Sequence, residues 1–304
     1  MSFSSDVKDE LCAALPEGCC RAAMTYGMAQ AGRAFSAAAV SLQTEHNGVA
    51  DVYERLLREV CGVRSLRRTA REGGFILLTV EDAAEREAVL ARFGHAKGEV
   101  ALRLNRANFE CDNCPAAYLA GAFLACGAIT NPETGYHLEF HLPHYNLSRD
   151  LLALLREVSL SPKYMNRKGN QVIYFKESEQ IEDCLTRMGA TGAALELMGV
   201  KMVKNIRNNA NRVTNCESAN IDKTVAAATV QREAIRRIQA AGALESLPPE
   251  LRELAALRLD NPELSLRELG AALSEPISRS GVNHRLRRIQ EFADSLPDDR
   301  KQRG

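Results

Sequence analysis

The residues with the clearest chemical purpose lie in segment 277–290, ISRSGVNHRLRRIQ, which contains four arginines and no acidic residue. Arginine binds phosphate and pairs bidentately with guanine, and asparagine pairs in the same way with adenine. Val282, Leu286 and Ile289 fall at i, i+4 and i+7, which predicts one buried stripe on a helix. The polar residues of this helix and its N-terminal cap are predicted to contact DNA: Ser278, Arg279, Ser280, Asn283, His284, Arg285, Arg287 and Arg288.

A capped helix before this segment completes a predicted helix-turn-helix. Ser265 and Glu268 have the spacing of a capping box, in which the serine covers the first turn and the glutamate reaches back. A short turn, 274–277, then leads into the arginine-rich helix. In such a motif the second helix enters the major groove of DNA. The alternative is a solvated basic face on a surface helix, but the capped helix and tight turn favour DNA.

A second polar stretch precedes this motif. Segment 199–223 holds six asparagines and five basic residues against two acids. Amide and basic side chains are good donors to phosphates and base edges. Within it we predict an extended basic linker over 199–221 that lies along DNA, although an ordinary polar linker between domains remains an alternative. Its candidate contacts are Lys204, Arg207, Asn208 and Arg212.

Charge supports a nucleic-acid contact in the C-terminal third. The chain has 304 residues and no net charge, yet residues 201–304 carry 18 Lys and Arg against 14 Asp and Glu. A basic bias in one part of a neutral chain favours DNA as a partner of that part. The start of the chain lacks the apolar region of a signal peptide, and no apolar run reaches membrane-spanning length. These features predict a cytoplasmic, nucleoid-associated protein with no membrane partner.

Cysteine and histidine are the remaining candidates for chemistry. Cys111-x-x-Cys114 has the spacing of half a zinc or redox site. No second CxxC or histidine pair completes it in the sequence, and a Cys/His site completed by folding is the less favoured alternative. Cys19 and Cys20 are interpreted as buried small residues. We therefore predict no metal and no cofactor. The nine cysteines, an odd number scattered along the chain, predict reduced thiols rather than a disulfide framework.

Three polar residues alternate along one predicted strand. His137, Glu139 and His141 are two residues apart and must share a face of the sheet. A metal-binding face is conceivable, but a polar sheet surface is the favoured interpretation. The sequence contains neither a P-loop nor a dinucleotide-binding fingerprint.

The first two hundred residues contain two copies of one arrangement. Segment 115–127, PAAYLAGAFLACG, predicts a helix buried all round, and 22–32, AAMTYGMAQAG, is its upstream counterpart. The pentapeptide LLREV occurs at 56–60 and again at 154–158. Three pairs of glycines are each 95 residues apart: Gly32 and Gly127, Gly74 and Gly169, Gly94 and Gly189.

These registers predict an α+β fold with two αββαββα units about a pseudo-twofold axis, where the small-residue helices pack together. We predict a duplicated domain over 1–198, with repeats at about 1–95 and 96–198. The linker over 199–221 follows, and then an all-α helix-turn-helix domain over 222–304. The alternative is an unrelated pair of α+β domains that share common loop glycines.

Segment 119–127, LAGAFLACG, resembles the LAGLIDADG helix of homing endonucleases, and 24–32 resembles a more diverged copy. In active members the acid before the terminal glycine holds a divalent metal, as phosphodiester cleavage requires. The matching positions here are Ala31 and Cys126, and neither offers the oxygen ligand that magnesium prefers. The resemblance therefore implies the fold without the enzyme. A residual metal-dependent DNA endonuclease is the alternative function.

The whole chain resembles the bacterial WhiA family, in which a LAGLIDADG-like domain is joined to a C-terminal helix-turn-helix. Its C-terminal part also resembles the promoter-binding domain of sigma factors. The resemblance implies a sequence-specific transcriptional regulator tied to cell division and sporulation, with double-stranded promoter DNA as its partner. In actinobacterial members it further implies a WhiB-type iron–sulfur protein as partner, which leaves protein binding open as a role for the N-terminal domain.

Overall fold

The computed structural model describes residues 2–99 and 101–296. The chain divides into two compact units between Asn205 and Ile206, and each unit has its own hydrophobic core. The domain limits expected from the sequence remain a prediction, and 297–304 of the last predicted domain lie outside the described residues. Within those residues, no helix is both long and apolar enough to cross a lipid bilayer.

The first unit contains the predicted duplication, preceded by helix α1 (Phe3–Ala13). The first copy runs α2 (Gly18–Gln30), β1 (Ala34–Phe35), β2 (Val40–Thr44), α3 (Asn47–Cys61), β3 (Leu66–Ala70), β4 (Ile76–Val80) and α4 (Ala83–Arg92). The second runs α5 (Cys114–Cys126), β5 (Gly127–Ile129), β6 (Leu138–Leu142), α6 (Tyr145–Glu157), β7 (Lys163–Arg167), β8 (Asn170–Phe175) and α7 (Ser178–Met188). The predicted αββαββα order is confirmed in both.

Each copy forms one antiparallel four-stranded sheet with the same strand order, β1-β2-β4-β3 in the first and β5-β6-β8-β7 in the second. Alternate residues of the central strands, such as Leu42, Leu78, Phe140 and Ile173, point into one shared core. That alternation is the expected pattern for a sheet covered by helices on one face only.

The glycine register reflects equivalent backbone positions. Gly74 and Gly169 precede the last strand of each copy with φ of 80° and 85°. Gly94 and Gly189 follow the last helix of each copy with φ of 73° and 95°. Side chains disfavour this left-handed region, so both copies need glycine at the same places.

Helices α2 and α5 cross at the centre of the unit with their backbones in direct contact. A Cβ atom at Gly27 would overlap the carbonyl oxygen of Tyr118, and one at Gly121 would overlap that of Met24. The two contacts are reciprocal, since a shift of 94 residues converts one into the other. This reciprocity is the local signature of the predicted pseudo-twofold axis.

A buried polar network closes the side of this crossing. The Gln30 side chain accepts a hydrogen bond from the Tyr118 hydroxyl (2.7 Å) and donates to the Arg103 carbonyl (2.7 Å) and the Tyr26 hydroxyl (2.9 Å). The Tyr26 hydroxyl also lies 2.8 Å from His95 Nε2. These bonds satisfy the polar groups that α2 and α5 bury and attach the connector between the repeats to the crossing.

The second unit begins within helix α8 (Thr191–Ala240) and continues with α9 (Pro249–Asp260), α10 (Leu266–Ala272) and α11 (Arg279–Ser295). Its core includes Ile235, Leu254, Leu269 and Leu286.

The extended backbone predicted for 199–221 was wrong, because this whole segment is helical. It contains no proline, and asparagine costs well under 1 kcal/mol per residue relative to alanine in a helix. Further along the same helix, Val225 and Val230 are 59% and 55% exposed. Composition indicated polarity here, but it did not exclude a solvated helix.

The helix crossing generates a stability prediction. Replacing Gly27 with alanine forces the α2 and α5 backbones apart, so we expect a loss of about 1–3 kcal/mol in the free energy of unfolding. Gly199→Ala is the matched control, because that helical glycine has open space around it. It should gain about 0.5–1 kcal/mol. Chemical denaturation of the full chain measures both, and equal effects would contradict the crossing.

Candidate nucleic-acid interface

The helix-turn-helix predicted from the sequence is formed by α10 and α11. The Ser265 side chain accepts from the Glu268 backbone N–H (3.3 Å), and the Glu268 carboxylate accepts from the Ser265 N–H (2.8 Å). This capping box fixes the first turn of α10. Residues 273–278 then reverse the chain into α11.

A close backbone contact holds the turn. The Ile277 N–H donates to the Gly270 carbonyl (3.0 Å), and a Cβ at Gly270 would overlap the Ile277 carbonyl oxygen. From α9, the Glu253 carboxylate accepts from the backbone N–H (2.6 Å) and hydroxyl (2.9 Å) of Ser274. The hydrogen bond from the Ser274 N–H lowers the pKa of Glu253 most, and the bond from the Ser274 hydroxyl lowers it further. The turn is therefore fixed both to α10 and to α9.

Helix α11 begins with Ser278 as its N-cap, whose hydroxyl accepts from the Gly281 N–H (3.3 Å). Val282, Leu286 and Ile289 are buried, which confirms the predicted stripe, and Ala293 extends it. The opposite side of the helix therefore faces solvent.

The eight predicted contact residues differ in their position on this helix. Seven are exposed and Arg285 is half-buried. At about 100° per residue, Ser280, His284, Arg287 and Arg288 project furthest from the buried stripe. Asn283, Arg285 and Arg279 lie on the flanks, closer to the stripe. Arg287 has an acidic neighbour one turn later, with its Nε 3.8 Å from a carboxylate oxygen of Glu291.

The four candidates on α8 fall into two groups. Arg207, Asn208 and Arg212 are exposed. Lys204 is half-buried, because its Nζ donates to the Pro132 carbonyl (2.6 Å) and lies 5.2 Å from the centre of the Tyr136 ring. Its ammonium group is therefore bound by the N-terminal unit itself, which makes Lys204 the weakest of the predicted DNA contacts.

Sequence reasoning missed one residue that supports the interface. Arg258 is 1% exposed within α9, and its guanidinium donates to the Gln231 side chain (2.9 Å) and the Leu264 carbonyl (2.6 Å). These bonds connect α8, α9 and the loop before α10. One sign of this burial was present in the sequence, where Arg258 stands between Leu257 and Leu259. Arginine in a polar helix is nevertheless ordinarily assigned to the surface.

Ala31 and Cys126, which match the metal-binding acids of the LAGLIDADG nucleases, lie at the ends of α2 and α5. Ala31 is buried, and burial raises the pKa of Cys126 to about 12, so its thiol is neutral at physiological pH. Cys126 lines a cleft of about 400 Å³ that also contains Lys8 and Glu45. Burial lowers the pKa of Lys8, and nearby Cys126 and Glu45 partly offset this. A lysine and a single carboxylate do not provide the carboxylate pair of a metal-dependent nuclease.

The polar strand face in the second copy is also as predicted. Glu139 lies between two histidines, with its carboxylate oxygens 3.0 Å from His137 Nε2 and 2.8 Å from His141 Nε2. Burial would raise the pKa of Glu139, but hydrogen bonds from His141 and His137 lower it overall. The three side chains satisfy one another as a polar sheet surface.

Folding brings further thiols, rather than the histidines considered above, next to Cys111 and Cys114. Cys19 and Cys20 contribute the second half. Their interpretation as simple buried residues was wrong, because both are partly exposed and their thiols face those of the CxxC.

The two units define a class of protein: a degenerate LAGLIDADG-like domain joined to a helix-turn-helix. Residues 115–207 match the WhiA LAGLIDADG-like domain, and residues 210–293 match the WhiA C-terminal HTH domain. The chain is 36% identical to the "Probable cell division protein WhiA" of Thermoanaerobacter pseudethanolicus, covering 99% of this chain and all of that one. It is 38% identical to the same-named protein of Clostridium botulinum over 84% of each chain.

The fold also matches the crystal structure of full-length WhiA from Thermatoga maritima, with a TM-score of 0.59 at 21% identity, over 98% of this chain and all of that one. The chain belongs to the WhiA family. Family membership confirms the predicted fold class, and the curated relatives connect the family by name to cell division.

The Glu253 contact predicts a pH-dependent stability. A carboxyl whose pKa is lowered by folding stabilises the fold above its ordinary pKa of 4.5, and this contribution is lost as the pH falls through the folded pKa. Glu253→Gln should lower the melting temperature at pH 7, with the difference from wild type shrinking at acid pH. Glu250→Gln, one turn earlier on α9, is the control. A Glu253→Gln difference that is independent of pH would refute the ionised contact.

Proposed function

We propose that this protein is a sequence-specific, DNA-binding transcriptional regulator with no nuclease activity, and that it acts on genes of cell division and sporulation. The observation that carries the proposal is the exposed polar face of α11, the second helix of a helix-turn-helix. That face presents arginine, asparagine and histidine, and its first acidic residue is Glu291, three turns into the helix. Binding to chromosomal DNA places such a protein at the nucleoid.

The placement of side chains on α11 suggests a division of roles. Ser280, His284, Arg287 and Arg288 project furthest from the core and are suited to base edges in the major groove. Asn283, Arg279 and Arg285 flank this row, where the sugar–phosphate backbones pass on either side. Ser278 caps a helix N-terminus, which attracts phosphate through its free N–H groups and positive dipole end.

The exposed helix α8 supports additional backbone contacts. Arg207, Asn208 and Arg212 are exposed, so their side chains can reach phosphate oxygens. Such contacts add affinity without sequence information. The half-buried Lys204 is excluded from this proposal because its ammonium group is already bound.

The N-terminal unit is better suited to a protein partner than to DNA. Three of the four Lys and Arg residues on its strands are paired with acids: Arg67 Nη1 lies 3.0 Å from Glu81, Arg68 Nη1 lies 2.5 Å from Asp51, and Lys163 Nζ lies 3.4 Å from Glu177. Paired charges attract phosphates weakly compared with free ones. A protein partner on this unit, of the WhiB type in actinobacterial relatives, fits the same proposal.

Two arginine variants test the roles on α11. With DNA fragments selected from genomic DNA by the full chain, Arg287→Ala should cost about 1–3 kcal/mol of binding free energy and relax sequence preference. Arg279→Ala, on the flank of the helix, should weaken specific and non-specific DNA equally and reduce the slope of log K against log salt by about 1. Fluorescence anisotropy over a salt series measures both quantities.

The matched control for these variants is Arg237→Ala. Arg237 is an exposed arginine whose Nη2 pairs with Asp294 (2.6 Å), near the far end of α11. Its removal should leave DNA affinity unchanged. If Arg287→Ala and Arg279→Ala bind as tightly as the parent, the proposed DNA interface is wrong.

A plasmid assay tests the loss of nuclease activity. Supercoiled plasmid incubated with the full chain and Mg²⁺ or Mn²⁺ should remain uncut, because Ala31 and Cys126 provide no anionic oxygen ligands. Glu45→Gln changes the carboxylate in the adjacent cleft, and Glu54→Gln is a control outside that cleft. Metal-dependent nicking that is abolished by Glu45→Gln but not by Glu54→Gln would reverse the proposal and restore the endonuclease alternative.

A further inference from the structure

Four cysteines converge where the two crossing helices begin. Cys19 and Cys20 lie in the first turn of α2, Cys114 is the first residue of α5, and Cys111 precedes it by three residues. The Cys111 Sγ lies 3.5 Å from Cys19, 3.4 Å from Cys20 and 3.6 Å from Cys114. All four Sγ atoms lie within 4.8 Å of one another. Ninety-one residues separate Cys20 from Cys111, so this convergence is a product of the tertiary fold.

The sulfur spacing fits coordination of a single ion. A tetrahedral zinc site with Zn–S bonds of about 2.3 Å has sulfur atoms about 3.8 Å apart. The distances around Cys111 are close to this value, whereas a disulfide bond requires about 2.05 Å. All nine cysteines of the chain are free thiols in this structure. An iron–sulfur cluster distributes its cysteines over several irons and needs them further apart.

The surroundings of the four thiols allow a metal ion to enter. Cys111 is exposed, Cys19 and Cys20 are partly exposed, and Cys114 is buried. The site is therefore open to an entering ion on one side and attached to the core on the other.

We propose that Cys19, Cys20, Cys111 and Cys114 bind one Zn²⁺ ion through four thiolates. Four-sulfur tetrahedral coordination selects zinc among the common divalent ions, and a full set of four protein ligands makes the site structural rather than catalytic. The role follows from its place in the duplication. Cys20 and Cys114 are 94 residues apart, the same shift that relates the Gly27 and Gly121 contacts, and each copy contributes two ligands. The ion joins the starts of α2 and α5.

Metal analysis of the full chain tests the proposal directly. Protein purified under reducing conditions and washed with a weak chelator should contain about one zinc per chain by plasma mass spectrometry. Apo protein titrated with Co²⁺ should develop the visible absorption of a tetrahedral thiolate site, saturating at one equivalent. Zinc should raise the melting temperature of the apo protein.

The variants separate this site from the remaining cysteines. Cys111→Ser, at the exposed ligand, should lose most of the bound zinc and the cobalt spectrum while circular dichroism shows the fold retained. Cys216→Ser, at an exposed cysteine on α8, should keep both signals. Should Cys111→Ser not fold, the cobalt titration of the wild-type apo protein decides the question alone.

Several results would overturn the proposal. One is wild-type protein that takes up neither zinc nor cobalt under reducing conditions. A second is Cys111→Ser with unchanged zinc content. A third is iron in place of zinc after aerobic and anaerobic purification. The fourth is a disulfide among these four residues, shown by the mass of the unreduced protein from reducing cells.

Discussion

The contact between the backbones of α2 and α5 is the constraint on which the N-terminal unit depends. At Gly27 and Gly121 the two helices approach so closely that no side chain fits between them. That distance sets how the two sheets lie about the axis and requires the rest of both helices to be buried. It also explains how the helices can have this small-residue pattern without acids at Ala31 and Cys126. The packing of the crossing is independent of the metal chemistry at its ends.

Features fixed by local rules could be predicted from the sequence. The strand and helix order of both repeats followed from turn glycines and apolar patterns, because left-handed positions such as Gly94 and Gly189 recur in equal register. The capping box at Ser265 and the buried stripe from Val282 marked the helix-turn-helix for the same reason. Each of these signals lies within a few residues of the structure it specifies.

Features that depend on distant or missing neighbours could not be predicted. Segment 199–221 is a helix whose large apolar residues, such as Met202, Ile206 and Val213, are exposed, so its composition was equally compatible with a linker. Arg258 is buried because Gln231 and Leu264 accept its hydrogen bonds, and no short pattern contains all three. The cysteine cluster joins residues from both repeats. In each case the conformation is determined by contacts, or by their absence, that no short stretch of sequence contains.

The glycine crossing also restricts how the protein tolerates mutation. Each glycine faces a carbonyl oxygen of the opposite helix, and every amino acid carries that oxygen. No change of side chain at Met24 or Tyr118 therefore creates space for a larger residue at the facing glycine. Second-site suppressors of a lesion at Gly27 or Gly121 must act by moving a whole helix. The two glycines should consequently persist independently, without covarying with the residues they touch.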